Sequence, residues 1–180
     1  HQVIVAAAQQ YQSRYDEMWG GVGNRPKFPT PSIYLMLLRY HRRTGDARAL
    51  EVVTGTLDHM AAGGIYDHVG GGFHRYSTDQ RWLVPHFEKM LYDNAQLASL
   101  YLEAYQVTQD SSYARVVRET LDYIAQEMTH PDGGFYSATD ADSEGEEGTF
   151  FLWDADAIQA LLDPDAARLI IAYYGVTTQG

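Results

Sequence analysis

The chain of 180 residues contains no cysteine. Disulfide frameworks, thiolate metal sites and thiol nucleophiles are therefore excluded. Basic runs are also absent, and 24 acidic against 13 basic residues leave a formal charge of −11. Such a field repels phosphate backbones, so no nucleic-acid partner is expected. No apolar stretch reaches the roughly 18 residues a membrane span needs, and no signal peptide is visible, so no membrane association is expected. The lack of thiols suits a reducing compartment, and a cytoplasmic location is the expectation. The first residue is His1 rather than Met, which leads to the expectation of a piece of a longer protein.

Several motifs are missing too. There is no Walker sequence and no serine nucleophile elbow. Gly20-Gly21-Val22-Gly23 follows no strand pattern and lacks the third glycine of a dinucleotide loop. Asp140, Asp142 and Glu144 before Gly145 imitate the start of a calcium loop, but Phe151 stands at the twelfth position, where Glu is required. His68, His74 and His86 match no compact metal signature. No metal and no cofactor are expected.

What is present reads as globular: 45% hydrophobic and 21% charged residues, enough for a single domain over 1–180 with a real core. Apolar residues recur at helical spacing over 2–18, 32–43, 46–61, 86–107 and 111–128, with a weaker pair at 154–162 and 164–174. Pro31 and Pro85 suit a first helical turn, and Asp46, Ser111 and Asp154 suit caps. The pattern predicts an all-α chain of helical hairpins at about 32–61, 86–128 and 154–174, preceded by an N-terminal helix.

The hairpins repeat. TGDARALEVVTGTLD, Thr44 to Asp58, aligns with TQDSSYARVVRETLD, Thr108 to Asp122, and Gly63-Gly64-Ile65-Tyr66 is answered by Gly133-Gly134-Phe135-Tyr136. Turns within hairpins are short; the connections at 19–31, 62–85 and 129–153 are long, and 12 of the 16 glycines cluster in or beside them. The long loops should therefore gather at one end of the helix stack. There the N-termini of the first helix of each hairpin favour anionic or hydroxyl-rich ligands.

The densest of these loops is GGIYDHVGGGFHRYSTDQRWLVPHFEKMLYDN, Gly63 to Asn94, with five glycines and three histidines. Together with KFPTP at Lys27 to Pro31 and GGFYSATDADSEGEEGTFFLW at Gly133 to Trp153, it resembles the family of thioredoxin-domain-containing proteins of the spermatogenesis-associated protein 20 type. The resemblance covers essentially the whole chain. It implies an (α/α)6 toroid, the six-hairpin fold shared with N-acylglucosamine 2-epimerases and several glycosidases, with about half of the toroid here and short β-hairpin-like loops between the hairpins. It also implies a thioredoxin-like domain outside this chain. Half a toroid should expose an apolar edge and favour self-association.

Two functional readings follow. In the first, a carbohydrate-active site of epimerase, isomerase or glycosidase type lies on the long-loop face, with a sugar-like ligand. His86 and His68 would be the acid/base pair, assisted by Glu88 and Asp67. Lys27, Arg75, Tyr76, Trp82, Tyr92, Asp93, Asp140 and Asp142 would contact substrate. In a helix opening at Pro85, His86 and Glu88 would sit about 200° apart and share no face. The second reading is a non-catalytic toroid that binds a ligand or a protein partner, in which the histidines are structural and the aromatic rings pack the loops onto the helices.

Overall fold

A computed structural model describes residues 2–177. Backbone contacts divide the chain into two compact units, His1–Ala141 and Asp142–Gly180. Among the described residues, no helix is long and apolar enough to cross a membrane.

The first unit holds five helices: α1 (Gln2–Ser13), α2 (Pro31–Thr44), α3 (Ala47–Ala62), α4 (Leu91–Thr108) and α5 (Ser111–Glu127). α2 packs on α3 and on α4, and α4 packs on α5, so the two hairpins meet through their first helices. The buried residues of α5, Tyr113, Val116, Val117, Thr120, Tyr123 and Ile124, follow the three-and-four spacing that builds one apolar stripe. Leu37, Leu57, Ile65, Leu97 and Leu100 are fully buried in the shared core, each worth about 1.5–3 kcal/mol of transfer free energy. The short turns are closed by caps: the Asp46 carboxylate accepts from the Ala49 N–H, and Asp110 from that of Ser112. Asp110, not Ser111, is thus the cap of α5, because its side chain reaches forward over the first turn.

The long loops are stitched to one another by backbone pairing. Lys27 bridges Ser77. Strand β1 (Tyr76–Ser77) pairs antiparallel with β2 (Pro85–His86), and β3 (Lys89–Met90) with β4 (Ala138–Thr139). Parts of the long connections, at Lys27, Tyr76–Ser77 and Ala138–Thr139, therefore gather at one end of this unit.

Two expected boundaries are wrong. Pro85 does not open a helix; residues 85–90 are extended and α4 begins at Leu91. The segment is held by Ser77 on one side and Thr139 on the other, and these tertiary pairings outweigh its helical periodicity. Likewise α1 ends at Ser13 rather than 18, where Tyr15 bridges Val22. The second unit contains a two-strand ladder of β5 (Asp142–Ser143) with β6 (Glu146–Glu147), a 3-10 turn at Thr149–Phe151, α6 (Ala155–Leu161) and α7 (Pro164–Tyr174).

Candidate functional site

Extended backbone changes the geometry of the His86 segment. Residues two apart on a strand point to the same side. His86 Nε2 accordingly lies 3.7 Å from Glu88 Oε2, where the helical reading had put them on different faces. The facing segment supplies Arg75, whose guanidinium donates to the same Glu88 oxygen at 2.6 Å and whose N–H donates to the Glu88 carbonyl. Tyr76 and His86 are direct partners across the β1–β2 ladder, and their rings stack with centroids 5.0 Å apart. The Phe28 ring also packs against Tyr76, with centroids 4.8 Å apart and the planes tilted by 33°. The turn between the strands is braced by Asp79, whose carboxylate accepts from the N–H groups of Arg81, Leu83 and Val84.

Asp93, in the first turn of α4, completes the cluster. Burial pushes its pKa up to about 6; Arg75 pulls it down and Glu88 pushes it further up. The side chain of Tyr92, half exposed, lies beside the Arg75 guanidinium. A histidine, two carboxyl groups, a guanidinium and an aromatic platform are thus assembled where β1, β2 and the head of α4 meet. These groups can hold a hydroxylated ligand against a ring face and move protons at near-neutral pH.

Other predicted residues are placed elsewhere. His68 is exposed, with Nε2 2.9 Å from the Gly63 carbonyl and its ring edge-on to Tyr66. Asp67 forms an ion pair with Lys89 at 2.7 Å, and its other oxygen accepts from the N–H groups of Val69 and Gly70. Lys27 is 1% exposed, bound to Asp16 and to the Gly20 carbonyl. Trp82 is fully buried and donates its indole N–H to the Trp19 carbonyl. Burial keeps Lys27 and Trp82 off the surface of this unit, which does not suit contact with a solute. Asp140 and Asp142 are exposed, one at the end of each unit.

Two of these residues belong to a device that the sequence reading missed. Asp16 and Asp67 sit in identical loops. Each accepts at Oδ1 from the second and third following N–H groups, and each backbone carbonyl accepts from the glycine four residues on. Each carboxylate, with that glycine's carbonyl, clamps a buried lysine: Lys27 in the first loop, Lys89 in the second. The ammonium groups also face aromatic rings, Trp82 at 5.6 Å and Tyr123 at 4.2 Å. Burial alone would raise the Asp16 pKa, but hydrogen bonds from Lys27, Gln80 and the backbone bring it down to about 2. The signal was present as Tyr15-Asp16…Gly20-Gly21 against Tyr66-Asp67…Gly71-Gly72, at an offset of 51 rather than that of the helices.

His74 was also passed over. It is 2% exposed, its Nδ1 lies 2.9 Å from the Phe87 carbonyl, and burial together with nearby Lys89 lowers its pKa to about 4. It is neutral at physiological pH and holds the His86 segment in place. Among the described residues, no group of three or more histidines and carboxylates is placed to hold a metal. A groove of about 660 Å³ runs between α2 and α4, lined by Leu38, Arg39, Arg42, Glu103 and Val107. At 1.5 Å per residue, Glu103 lies about 18 Å along α4 from Leu91, so this groove is remote from the acid/base cluster.

Curated relatives match this chain over part of a longer sequence. A human protein is 46% identical over 96% of this chain, and a mouse protein 44% over the same share. Both are spermatogenesis-associated protein 20. Nearly the whole chain is similar to that protein. It spans only 24% of the length of either relative, and no family model matches it. Among solved structures, the cellobiose 2-epimerase of Spirochaeta thermophila matches with a TM-score of 0.65 at 18% identity, over 77% of this chain and 39% of that one. A sugar epimerase from a ruminal bacterium matches at 0.66 and 14%, over 87% and 46%. The cellobiose 2-epimerase of Bacillus thermoamylovorans matches at 0.67 and 12%, over 95% and 53%. At these identities the likeness shows the fold alone: the chain has the α/α-toroid fold of sugar epimerases and glycosidases, as a partial toroid.

Proposed function

We propose that this chain belongs to the spermatogenesis-associated protein 20 family and carries a carbohydrate-active site at His86, of epimerase or isomerase type. The observation that supports this most is the convergence of His86, Glu88 and Arg75 on one side of the β2–β3 segment, with Tyr76 stacked on the imidazole. In this reading the sugar lies against Phe28 and Tyr76. His86 takes the proton next to the substrate carbonyl, Glu88 fixes the imidazole, and Arg75 holds Glu88 while presenting its remaining donors to sugar oxygens. The solved sugar epimerases of the same fold support the substrate class by analogy only.

The test is solvent exchange. The chain is incubated with aldoses and their disaccharides in deuterated water, and loss of the C2 proton signal is followed by NMR. Exchange is expected with at least one sugar, and His86→Gln should lower its rate by about 100-fold or more. Equal exchange by wild type and variant would remove His86 from the chemistry. A hydrolytic reading is favoured by one observation, that Glu88 and Asp93 are two carboxyl groups within electrostatic reach of each other. Release of a reducing sugar without exchange would select it.

A further inference from the structure

We infer that the two lysine clamps aim the side chains of this site and divide the task. Lys27 positions the ring platform that receives the sugar, and Lys89 positions the carboxylate that orients His86. The inference rests on the isomerase reading above and adds two positioning residues to it. Both lysines are 1% exposed, so neither reaches the ligand itself.

Neighbouring residues of an extended chain point to opposite sides, and residues paired directly across an antiparallel ladder share a side. Lys27 and Ser77 exchange both backbone hydrogen bonds, at 2.9 and 2.8 Å, and both side chains are buried. Pro85, the ladder partner of Ser77, is buried as well. The residues next to these three are Phe28, Tyr76 and His86. They emerge on the opposite side, and their rings meet there, Phe28 with Tyr76 at 4.8 Å and Tyr76 with His86 at 5.0 Å. Phe28 is 46% exposed beside its buried neighbour. The Lys27 ammonium group, held by Asp16 at 2.6 Å and by the Gly20 carbonyl at 2.7 Å, keeps that face turned outward.

The second clamp acts on residues 86–89. His86 and Glu88 share a side, and Phe87 and Lys89 turn the other way. The Lys89 ammonium group is held by Asp67 at 2.7 Å and by the Gly71 carbonyl at 2.8 Å. Buried His74 meets Phe87 on that inner side, with its Nδ1 2.9 Å from the Phe87 carbonyl; a carbonyl only accepts, so this nitrogen carries the hydrogen. Glu88 thus stands on backbone fixed at both neighbours, with its carboxylate free to meet Arg75 and His86. A buried ion pair is often no more stabilising than apolar side chains of the same size, so stability alone does not account for two of them here. Each lysine is one residue from a site side chain, where a misplacement of about 1 Å can cost on the order of 100-fold in rate.

The test uses the 180-residue chain and two double variants, Lys27→Met with Asp16→Asn and Lys89→Met with Asp67→Asn. Each removes a clamp without leaving a buried charge unpaired, and circular dichroism sets a temperature at which both are folded. Lys27→Arg and Lys89→Arg, which keep the charge but alter its reach, carry the test if a double variant does not fold. By NMR, the first change should abolish the ring-to-ring Overhauser effect between Phe28 and Tyr76 and keep the Arg75 guanidinium protons slowed in exchange by Glu88. The second should do the reverse. In the sugar exchange assay, the first should raise KM by about 10-fold with little change in turnover, and the second should lower turnover by about 10-fold with little change in KM. Loss of both NMR signals in both variants, or of neither, is what clamps serving stability alone would give, and it overturns the positioning roles. KM and turnover changing together in both variants overturns the division between them. Absence of exchange in the wild type, with every sugar, overturns the isomerase reading, and the NMR signals then decide on their own whether the clamps aim these side chains.

Discussion

At the scale of single residues, two groups with displaced pKa values oppose each other. Burial and then Lys89 lower His74 to about 4, so the folded state refuses a proton that the unfolded chain accepts below about 6.5. Its contribution is fully present above 6.5 and is lost as pH falls through 4, at about 1.4 kcal/mol per pH unit. Asp93 behaves in the opposite way. Raised to about 6, chiefly by burial, it favours the folded state below its unfolded value near 3.8 and costs stability as pH rises through 6. Between pH 4 and 6 the two slopes largely cancel. Asp93→Asn is therefore expected to gain about 1–2 kcal/mol at pH 7, discounted for partial exposure, and to lose stability steeply from pH 6 to 4. Urea unfolding across that range measures both effects. A variant no more stable than wild type at pH 7 would mean that Asp93 is not strained.

At the scale of elements, the paired lysine clamps explain why the long loops are ordered without regular structure. Each buries an ammonium group against a carboxylate, a carbonyl and a ring, and each fixes the segment that carries the lysine. Removing one partner strands a buried charge, which typically costs about 3–5 kcal/mol. Lys89→Met should therefore destabilise by about that amount, and adding Asp67→Asn should recover part of the loss. Additive losses in the double variant, measured by chemical denaturation, would mean the pair is not coupled. The glycines of the second clamp are equally constrained. Gly71 and Gly72 both have φ of +76°, and a Cβ on Gly71 would fall 2.6 Å from the Glu119 carbonyl oxygen.

At the scale of the whole molecule, the first unit contains both hydrophobic clusters, both clamps and the acid/base cluster. Residues 1–141 alone are expected to unfold cooperatively, with a midpoint within a few degrees of the full chain. A non-cooperative transition in calorimetry would show that the second unit is needed for the first to fold. The chain corresponds to about a quarter of its curated relatives and to between 39% and 53% of the solved epimerases it matches. The contacts that Arg75 and Tyr76 make with Glu88 and His86 lie within the first unit.

The all-α class and the positions of most helices were legible in the sequence. They rest on local signals: apolar periodicity, capping aspartates at Asp46 and Asp154, and loop length. The site was legible only in part. His86, Glu88, Arg75 and Tyr76 stood out by type, yet their geometry was misread, because a helical period cannot reveal that Ser77 and Thr139 draw residues 85–90 into strands. Asp67 looked like an assistant to the acid/base pair and Lys27 like a ligand contact, and only packing shows each to be one half of a buried ion pair. Asp93 was expected only to contact substrate. That it has no donor, and that Arg75 is spent on Glu88, depends on side chains more than ten residues apart in sequence. The sequence by itself determined which helices form, since that is settled within a few turns of chain. Tertiary structure decided which polar groups are neutralised and which are left to act, since a charge buried beside a partner is silent and one buried without a partner is not.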